Sequence, residues 1–502
     1  MPTLQQRATE FRSTSQGKRK GPQVDTPCHE YLEMLGRWEL SNDLLGGTPT
    51  MRAAGERWLN RFPKESPKAY KNRLSVATLF NVYRQTIRFL VGRVFREPIR
   101  LSDDTDPLVR EWAEDVDLQG RDLNAYAWDC LTDMLAFGKS HTMSEYPDTE
   151  ELKQALSKRT LTLGDARRFA LRPYWSQVSP LDLIAWDGDR VAGREMLDRI
   201  RVYEVSWLRD GEWGQKEVRQ VRVVTPEWTQ VYTLTQKEWQ AGPEIPTTLG
   251  EVNLVTGYAN RQGFMIAAPV LEDLAYLNQK HWNSQSDQDN ILHVVRAAIL
   301  FLAGFSDEDM KYLEIGPSVA LKHQNPDAKV SYVEHTGAGI NAGRQALQDL
   351  VQEMQASGAG DLMVPQPGNE TATARAIGEA KTLSPLQIMA LALQDYLESA
   401  FQMSGRWIKR PDLKVGVQVN TDFGAIGEVT REIELLQKDA ESGRIATEDY
   451  LREAQSRGLY DSEVNIEELL ERAEADRDLI PFIPPLPLPG NKEGAGPALA
   501  AT

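Results

Sequence analysis

The chain has 502 residues, with 57 basic and 73 acidic side chains and a formal net charge of −16. This length is enough for several domains and a large core. The acidic balance argues against a free-standing nucleic-acid-binding protein, because such proteins need a basic face. Cys28 and Cys130 are the only cysteines and neither lies in a CxxC pair, so we predict no disulfide framework and two inert thiols.

The sequence shows no targeting or membrane-spanning segment. Residues 1–20 are polar and basic and lack the apolar stretch of a signal peptide. The most apolar window, residues 297–305, is far shorter than a membrane span and is predicted to be a buried strand. We therefore expect a protein that is made in a reducing cytoplasm and has no membrane partner.

The first part of the chain is predicted to be helical. Apolar residues recur at helical spacing over residues 29–45, and Gly46-Gly47 ends that helix. Residues 53–63 are predicted to form a short helix that Pro63 closes, and Ser66-Pro67 begins a helix or helix pair that reaches Phe95. Residues 118–136 are predicted to form one more amphipathic helix.

Residues 173–239 have the composition of strands. Six of the twelve tryptophans lie there, and residues 221–224 and 230–234 alternate as half-exposed strands do. Asp187-Gly188 and residues 209–212 are predicted to be hairpin turns. The segment predicts an antiparallel β-subdomain with an aromatic core, and the fold class is α+β and mainly helical.

A polar helix is predicted over residues 269–293. Beyond Trp282 it carries almost only polar side chains, so we expect it to pack against copies of itself or to line water. Residues 295–337 are predicted to form a strand, a short helix that Ser306 caps and two further strands, at 319–322 and 329–333. A second helix then ends at Gly358-Ala-Gly360.

The next segment carries no positive charge. Residues 345–374 contain no lysine or arginine, and residues 358–369 are predicted to form a loop. Such a loop would bind a polyanion weakly, and it therefore suits a surface past which a polyanion slides. A long helix follows to Arg406, and Ser384-Pro385 is predicted to kink or restart it. Residues 413–419 alternate as a strand does, residues 428–476 are predicted to be charged helices, and residues 481–489 have a polyproline composition.

No catalytic or cofactor motif is present. The sequence contains no Walker loop, no GxSxG and no HExxH, and its six histidines are scattered. Asp103, Asp104 and Asp106 could mimic a cation site, and Asp187 and Asp189 resemble a DxD metal pair, but turns explain both sets more simply. We therefore predict a protein that is not an enzyme and that holds no cofactor and no metal.

Several segments in this order resemble the portal proteins of tailed double-stranded DNA phages, and in particular a portal-like family found in phages and prophages. The resemblance extends over about residues 28–425. Pro385 within the long helix and the C-terminal part depart from it. The segments that carry it are AAGERWLNRFPKES, FNVYRQTIRFLVGRVFREP, LAYLNQKHWNSQSDQDNILHVV, IGPSVAL, ETATARAIGEAKTLS and VQVNTDF.

The resemblance implies a homo-oligomeric ring, typically a dodecamer, at one vertex of the capsid. Double-stranded DNA passes through such a ring during genome packaging and ejection. The implied partners are other copies of the chain, double-stranded DNA held without sequence specificity, the large terminase packaging motor, a head–tail adaptor, and the major capsid and scaffolding proteins. The implied location is the virion, after assembly in the host bacterial cytoplasm.

The resemblance also assigns regions: a flexible arm (1–27), the wing (28–256 and 374–425), a first stem helix region (257–294), the clip (295–337), a second stem helix (338–357), a tunnel loop (358–373), an acidic helical crown (426–480) and a proline-rich tail (481–502). The DNA-facing residues would be Gly358, Gly360, Asp361, Met363, Gln366, Asn369 and Glu370 in the tunnel loop. The stem residues would be Asn283, Gln285, Asp287, Gln288, Gln345 and Gln348. The clip would dock its partners through Asp307, Glu308, Lys311, Lys322 and Lys329.

Two other functions stay open on the sequence. Another phage structural protein, such as a head–tail adaptor or a minor capsid protein, would share the composition but lack a central stem and loop. A metal-dependent nucleic-acid enzyme would use Asp103, Asp104, Asp187 or Asp189, although no recognisable metal motif supports it.

Overall fold

The computed structural model describes residues 22–147, 162–296, 299–304, 329–333, 338–360, 384–421, 423, 446–456, 466 and 470. The chain forms two compact units, residues 1–423 and residues 424–502. The described residues form a mixed α+β fold in which helices outweigh strands, as predicted. No helix among these residues is long and apolar enough to cross a membrane.

Four of the six helices that the structure describes before residue 138 begin where a short polar side chain caps them. The Ser66 hydroxyl accepts a hydrogen bond from the Ala69 amide, Asn81 accepts from Arg84, and Asp122 accepts from Ala125. The predicted helix over residues 53–63 is wrong, because the helix ends at Ala54 and only a single 3₁₀ turn, Gly55–Arg57, follows. The helices are α1 (His29–Gly46), α2 (Thr48–Ala54), α3 (Pro67–Val76), α4 (Val82–Val94), α5 (Pro107–Glu114) and α6 (Leu123–Phe137).

A three-stranded antiparallel sheet lies at the centre of this unit. Its strands are β2 (Lys139–Glu145), β3 (Tyr174–Val178) and β9 (Leu254–Tyr258), with β2 in the middle. Strand β2 has the sequence KSHTMSE, yet its first six residues are all buried. Their hydroxyls therefore need protein partners. Short elements nearby are α7 (Leu163–Arg168), β10 (Arg261–Gly263) and β11 (Ile266–Ala267).

A second sheet holds five strands in sequence order, as the tryptophan-rich segment predicted. The predicted turn at Asp187-Gly188 is wrong, because both residues lie within a strand and the chain turns at Ala192-Gly193, where both φ angles are positive. Gly188 sits instead at a register shift, where a side chain would collide with the Phe264 ring. The turn predicted at residues 209–212 is confirmed. The strands are β4 (Leu183–Val191), β5 (Arg194–Asp210), β6 (Gly214–Val224), β7 (Trp228–Thr235) and β8 (Glu238–Pro246).

The core of this five-stranded sheet is aromatic only in part, because Trp186 and Tyr203 are buried among aliphatic side chains. Trp186 is buried, but Trp207 is 50% exposed and Trp213 is 89% exposed. The expectation of an aromatic core is therefore wrong at the far end of the sheet. Branched side chains fill the covered end, namely Leu183, Ile200, Val202, Val221 and Val223.

Two long helices flank a β-hairpin. Helix α8 (Glu272–Arg296) leads to strand β12 (Ile299–Ala303), which pairs antiparallel with β13 (Lys329–Val333). Helix α9 (Ala338–Gln355) follows and ends in a π turn, Ala356–Gly360. The strand predicted at 297–305 is therefore confirmed for residues 299–303. Its predicted burial is wrong at Phe301, which is 52% exposed. The short helix and the strand predicted between residues 306 and 322 lie outside the described residues.

The last long helix of the first unit, α10 (Pro385–Trp407), restarts at the predicted residue. Ser384 and Gln387 form a reciprocal capping box, and Pro385 occupies the first turn. The strand predicted at 413–419 shortens to β14 (Val417–Gln418), which pairs with β1 (Arg100–Leu101). In the second unit, the described helix is α11 (Thr447–Ser456). It lies within the predicted acidic helices.

Ser384 provides a direct test of this restart. Replacing Ser384 with alanine removes the acceptor for the Gln387 amide and is expected to lower the free energy of unfolding by about 1 kcal/mol. Urea titration followed by tryptophan fluorescence measures this for the first unit, which holds all twelve tryptophans. Ser75→Ala is the control, because Ser75 is exposed and bonds only to the Asn72 carbonyl. Equal midpoints for the two variants would contradict the role of the cap.

Candidate functional site

Helices α8 and α9, which precede and follow the hairpin in the sequence, pack along each other. The Gln288 side chain on α8 donates to the Ile340 carbonyl on α9 at 3.0 Å. A Cβ at Gly343 would lie 2.2 Å from the Gln288 oxygen, so glycine allows this close approach. Leu350 and Met354 turn the apolar side of α9 inward, and both are buried. The two predicted stem helices therefore form one packed pair within a single chain.

The polar half of α8 is bonded within the same chain. Asn283 donates to the Trp58 carbonyl at 2.8 Å and accepts from the Asn60 amide at 2.9 Å. Arg73, which pairs with Glu65 at 2.9 Å, also donates to the Ser286 hydroxyl. The expectation that this polar half needs other copies of the chain is therefore wrong for Asn283 and Gln288.

Asp287 and Gln285 sit at the edge of these contacts. The Asp287 carboxylate lies 3.9 Å from the Arg73 guanidinium, and burial raises its pKa. Gln285 donates to Asp289 one turn later at 2.8 Å. Both residues are half-buried, so they leave less of α8 exposed than its sequence suggests.

The outer face of α9 is polar and uncovered in the single chain. Gln345 and Gln348 are exposed, and Gln345 donates to Asp349 at 2.8 Å. A groove of about 1100 Å³ runs between α8, α9 and the turn at residues 78–80. Of the six predicted stem residues, Gln345 and Gln348 are thus the two that the fold leaves exposed.

The structure describes only part of the predicted clip and tunnel loop. Lys329 begins β13 opposite Ala303 of β12. Gly358 and Gly360 lie in the π turn, and Gly358 is buried. The remaining predicted residues lie outside the described residues, namely Asp307, Glu308, Lys311 and Lys322 of the clip and Asp361, Met363, Gln366, Asn369 and Glu370 of the loop.

Helix α4 contacts described residues on either side of the gap at residues 361–383. At the first end, a Cβ at Gly358 would lie 3.2 Å from the Thr86 hydroxyl of α4. At the second end, Gln387 accepts from the Ser384 amide and donates to the Thr421 carbonyl at 2.9 Å. The adjoining Asn420 donates to the Arg93 carbonyl of α4 at 3.4 Å. Helix α4 thus contacts Gly358 directly, and its Arg93 carbonyl accepts from Asn420, next to the residue that Gln387 holds.

The outward side of α4 is basic, which the sequence interpretation missed. Residues 82–96 contain four arginines and no carboxylate, and their apolar residues alone entered the helix prediction. The sequence did contain the signal for a basic surface, because the arginines lie on the side of the helix opposite its buried residues. We call Arg84, Arg88, Arg93 and Arg96, with Gln85 and Phe89, the arginine face.

The carboxylates considered as metal ligands serve other purposes in the fold. Asp106 caps α5 and accepts from Arg410 at 2.7 Å, and Asp187 pairs with Arg199 at 2.8 Å. No group of three or more histidine, cysteine, aspartate or glutamate side chains is arranged to bind a metal within the described parts of the chain. Burial raises the pKa of the Cys28 thiol and raises that of Cys130 to about 12, as inert thiols require.

One family model matches the chain over residues 270–408, and it is described as a domain of unknown function, DUF4055. The match begins just before α8 and ends just after α10. It therefore includes the helix pair, the hairpin and the segment between α9 and α10, and it extends over less than half of the chain. No curated protein matches the sequence.

Solved structures of gene transfer agent particles are similar to the chain at low scores. The neck of an empty particle computed with C6 symmetry has a TM-score of 0.38 and 8% identity, over 78% of this chain and 93% of that one. The virion of a native particle gives 0.39 and 8%, over 81% and 97%. The neck of a native particle computed with C12 symmetry gives 0.38 and 7%, over 80% and 97%. At such scores these likenesses carry no functional argument.

Proposed function

We propose that this chain is a portal subunit, which forms a ring at one capsid vertex and conducts double-stranded DNA without catalysing a reaction. The supporting observation is the helix–hairpin–helix of α8, β12, β13 and α9, which leads directly into a segment without lysine or arginine. The order of segments that resembles the portal-like family supports the same proposal.

The exposed side of α9 supports a ring rather than a monomer. Helix α8 spans about 37 Å at 1.5 Å per residue, and α9 buries only one side against it. The remaining side exposes glutamines and small residues, including Ala342 and Ala346, which allow close packing of a neighbouring helix. Gln345 and Gln348 also line the groove between α8 and α9, and in the proposed ring a helix of the next subunit packs against this side of α9.

Charge supports passage rather than static binding of DNA. Twelve copies of a chain with a charge of −16 would give a ring of roughly −190 before counterions bind. A ring of that sign repels phosphate at long range and so disfavours tight binding. Residues 358–373 would face the DNA, while the clip, to which β12 and β13 belong, would dock the large terminase and, after packaging, the head–tail adaptor.

Ring formation is the decisive experiment. We expect the purified full-length protein to give closed rings with a stalk in negative-stain images, and a single large species by mass photometry. Gln348→Trp, which places a bulky ring on the exposed side of α9, is expected to reduce assembly at least tenfold at equal concentration, a loss of about 1.4 kcal/mol. Lys68→Trp, on the exposed side of α3, is the control.

Two outcomes would contradict the proposal. A protein that stays monomeric under all assembly conditions is not a portal subunit. A ring without a stalk would instead favour a head–tail adaptor or another phage structural protein, because that class shares the assembly but lacks the stem.

A further inference from the structure

We infer that the arginine face of α4 binds the phosphate backbone of double-stranded DNA, as a weak guide beside the π turn that precedes the segment formed by residues 361–383. This inference rests on the proposed function, because it takes the DNA to pass that segment. The ligand is recognised by its phosphates alone, since the face presents no constellation that reads base edges.

The first observation is that arginines on this face lack carboxylate partners. Arg84, Arg88 and Arg93 form no ion pair with any carboxylate in the part of the chain that the structure describes. Elsewhere, arginines on the same unit are commonly paired, for example Arg121 with Asp117 at 2.7 Å and Arg406 with Glu251 at 2.7 Å. A chain with 16 more acidic than basic groups therefore keeps several cations on one helix uncompensated.

The second observation is the geometry of the helix. Val82, Ile87, Leu90, Val91 and Val94 pack into the core. The opposite arc carries the arginine face, with Arg88 and Phe89 exposed to solvent. The Arg93 guanidinium lies 5.1 Å from the Phe89 ring, which holds it in place while leaving its donors free to bind.

The two outer arginines can reach separate phosphates. Arg88 and Arg93 are about 7.5 Å apart along the helix axis and about 140° apart around it, so they extend from the two sides of the exposed arc. Guanidinium groups form forked hydrogen bonds with phosphate oxygens. Each subunit would therefore hold about two phosphates at a time and exchange them for the next ones as the DNA advances.

The third observation is the position of α4. Gly358 lies against Thr86, so α4 packs beside the π turn that ends the helix pair, and Asn420 bonds to the Arg93 carbonyl near the other end of α4. DNA that passes this turn therefore passes close to α4. Residues 361–374 contain no lysine or arginine, and α4 supplies the positive charge instead.

The test compares two double variants of the full-length protein. Arg88→Gln with Arg93→Gln removes the outer cations of the arginine face. Arg190→Gln with Arg209→Gln makes the same charge change on the five-stranded sheet, at two exposed arginines. We leave Arg84 unchanged because it bonds to the Leu45 carbonyl, and Arg96 because it has an interaction within the protein.

Binding is measured by fluorescence anisotropy with a labelled random-sequence duplex, from about 50 mM to about 200 mM salt. We expect the wild type and the Arg190/Arg209 variant to bind weakly, with the same salt dependence. The Arg88/Arg93 variant is expected to bind at least about tenfold more weakly at low salt. Its slope of log affinity against log salt should fall by about 0.9 for each phosphate that the variant no longer neutralises.

The outcomes separate this inference from the proposed function. Rings that form normally but lose DNA binding in the Arg88/Arg93 variant would support both. Wild-type rings that bind no duplex at low salt, or an Arg88/Arg93 variant that binds like the wild type, would overturn the inference and leave the ring intact. An Arg88/Arg93 variant that no longer assembles would identify the face as a subunit interface instead. Displacement of the duplex by millimolar inorganic phosphate at constant ionic strength would mark a small-anion site and also overturn it.

Discussion

Replacing Lys139 with methionine is expected to change how the stability of the first unit depends on pH. Lys139 is fully buried at the start of β2, where its ammonium lies 4.6 Å from the rings of both Trp38 and Trp186. It donates to the Met265 carbonyl at 2.7 Å. Burial lowers the pKa of Lys139 from 10.5 to about 7.

The sign of the effect follows from proton binding. Below pH 7 the lysine is charged in both the folded and the unfolded chain, so the folded state carries the full cost of burying the charge. Between pH 7 and 10.5 only the unfolded chain keeps the proton, so the stability of the wild type rises with pH. Methionine does not titrate, and the variant lacks this rise.

We therefore expect the free energy of unfolding of the wild type, relative to that of Lys139→Met, to increase with pH above pH 7. In this pH range the unfolded chain binds one proton more than the folded chain, so the gain should be about 1.4 kcal/mol per pH unit. Urea titrations at several pH values, followed by tryptophan fluorescence, measure it.

Lys68→Met is the matched control, because Lys68 is exposed on α3. Its stability should run parallel to that of the wild type across the same pH range. A constant difference between the wild type and Lys139→Met at all pH values would show that the lysine does not titrate within the fold, and would contradict the expectation.

Features set by a few neighbouring residues were predictable from the sequence. Gly46-Gly47 ends α1, Ser66-Pro67 begins α3 and Ser384-Pro385 begins α10. These signals act within one turn, since a cap needs only its own side chain and the first amides of the helix. The long helices α8 and α9 were predictable for the same reason.

Features set by distant contacts were not predictable. The Asp187-Gly188 turn signal was overridden because β4 continues in register with β5 and Gly188 makes room for Phe264. The polar half of α8 suggested missing neighbours, but its partners lie more than two hundred residues earlier, at Trp58 and Asn60. Sequence periodicity indicates which side of a helix is polar, but it does not indicate which residues form hydrogen bonds with that side.

The candidate site also had features that could be predicted from the sequence and features that could not. The absence of positive charge after residue 345 was visible in the sequence, as was the end of the helix near Gly358. The packing of Gly358 against Thr86 was not visible, because it joins residues far apart in the chain. Without that packing, the arginines of α4 gave no reason to connect them with the segment formed by residues 361–383.

Helix α10 connects this segment to the buried polar strand β2. Ser404 on α10 bonds to Ser144 of β2 and accepts from the Trp175 indole of β3, both at 2.9 Å. Gly257 of β9 lies so close to the Tyr396 ring that a Cβ there would be 2.5 Å away. Hydroxyls that bond across three elements fix the position of a helix more specifically than apolar packing alone. We expect this network to fix the second half of α10 against β2 and β9.

Thr142→Val is expected to destabilise the first unit by about 2–4 kcal/mol. The Thr142 hydroxyl lies 2.9 Å from the Tyr126 hydroxyl on α6 and 2.5 Å from the Tyr396 hydroxyl on α10, and all three residues are buried. Valine keeps the shape of threonine but leaves two phenol hydroxyls without this partner, at about 1–3 kcal/mol each. Urea titration by tryptophan fluorescence measures the loss. Thr235→Val, at an exposed position on β7, is the control and should change stability by less than about 0.5 kcal/mol.

A triple variant separates loss of hydrogen bonding from loss of packing. Adding Tyr126→Phe and Tyr396→Phe to Thr142→Val removes the stranded hydroxyls while keeping both rings, and exchange of all partners for apolar groups of the same shape is close to neutral. We therefore expect the triple variant to recover at least half of the lost stability. If it is instead less stable than Thr142→Val, the hydroxyls have other partners of equal value, and the network does not fasten α10 to β2 through Thr142.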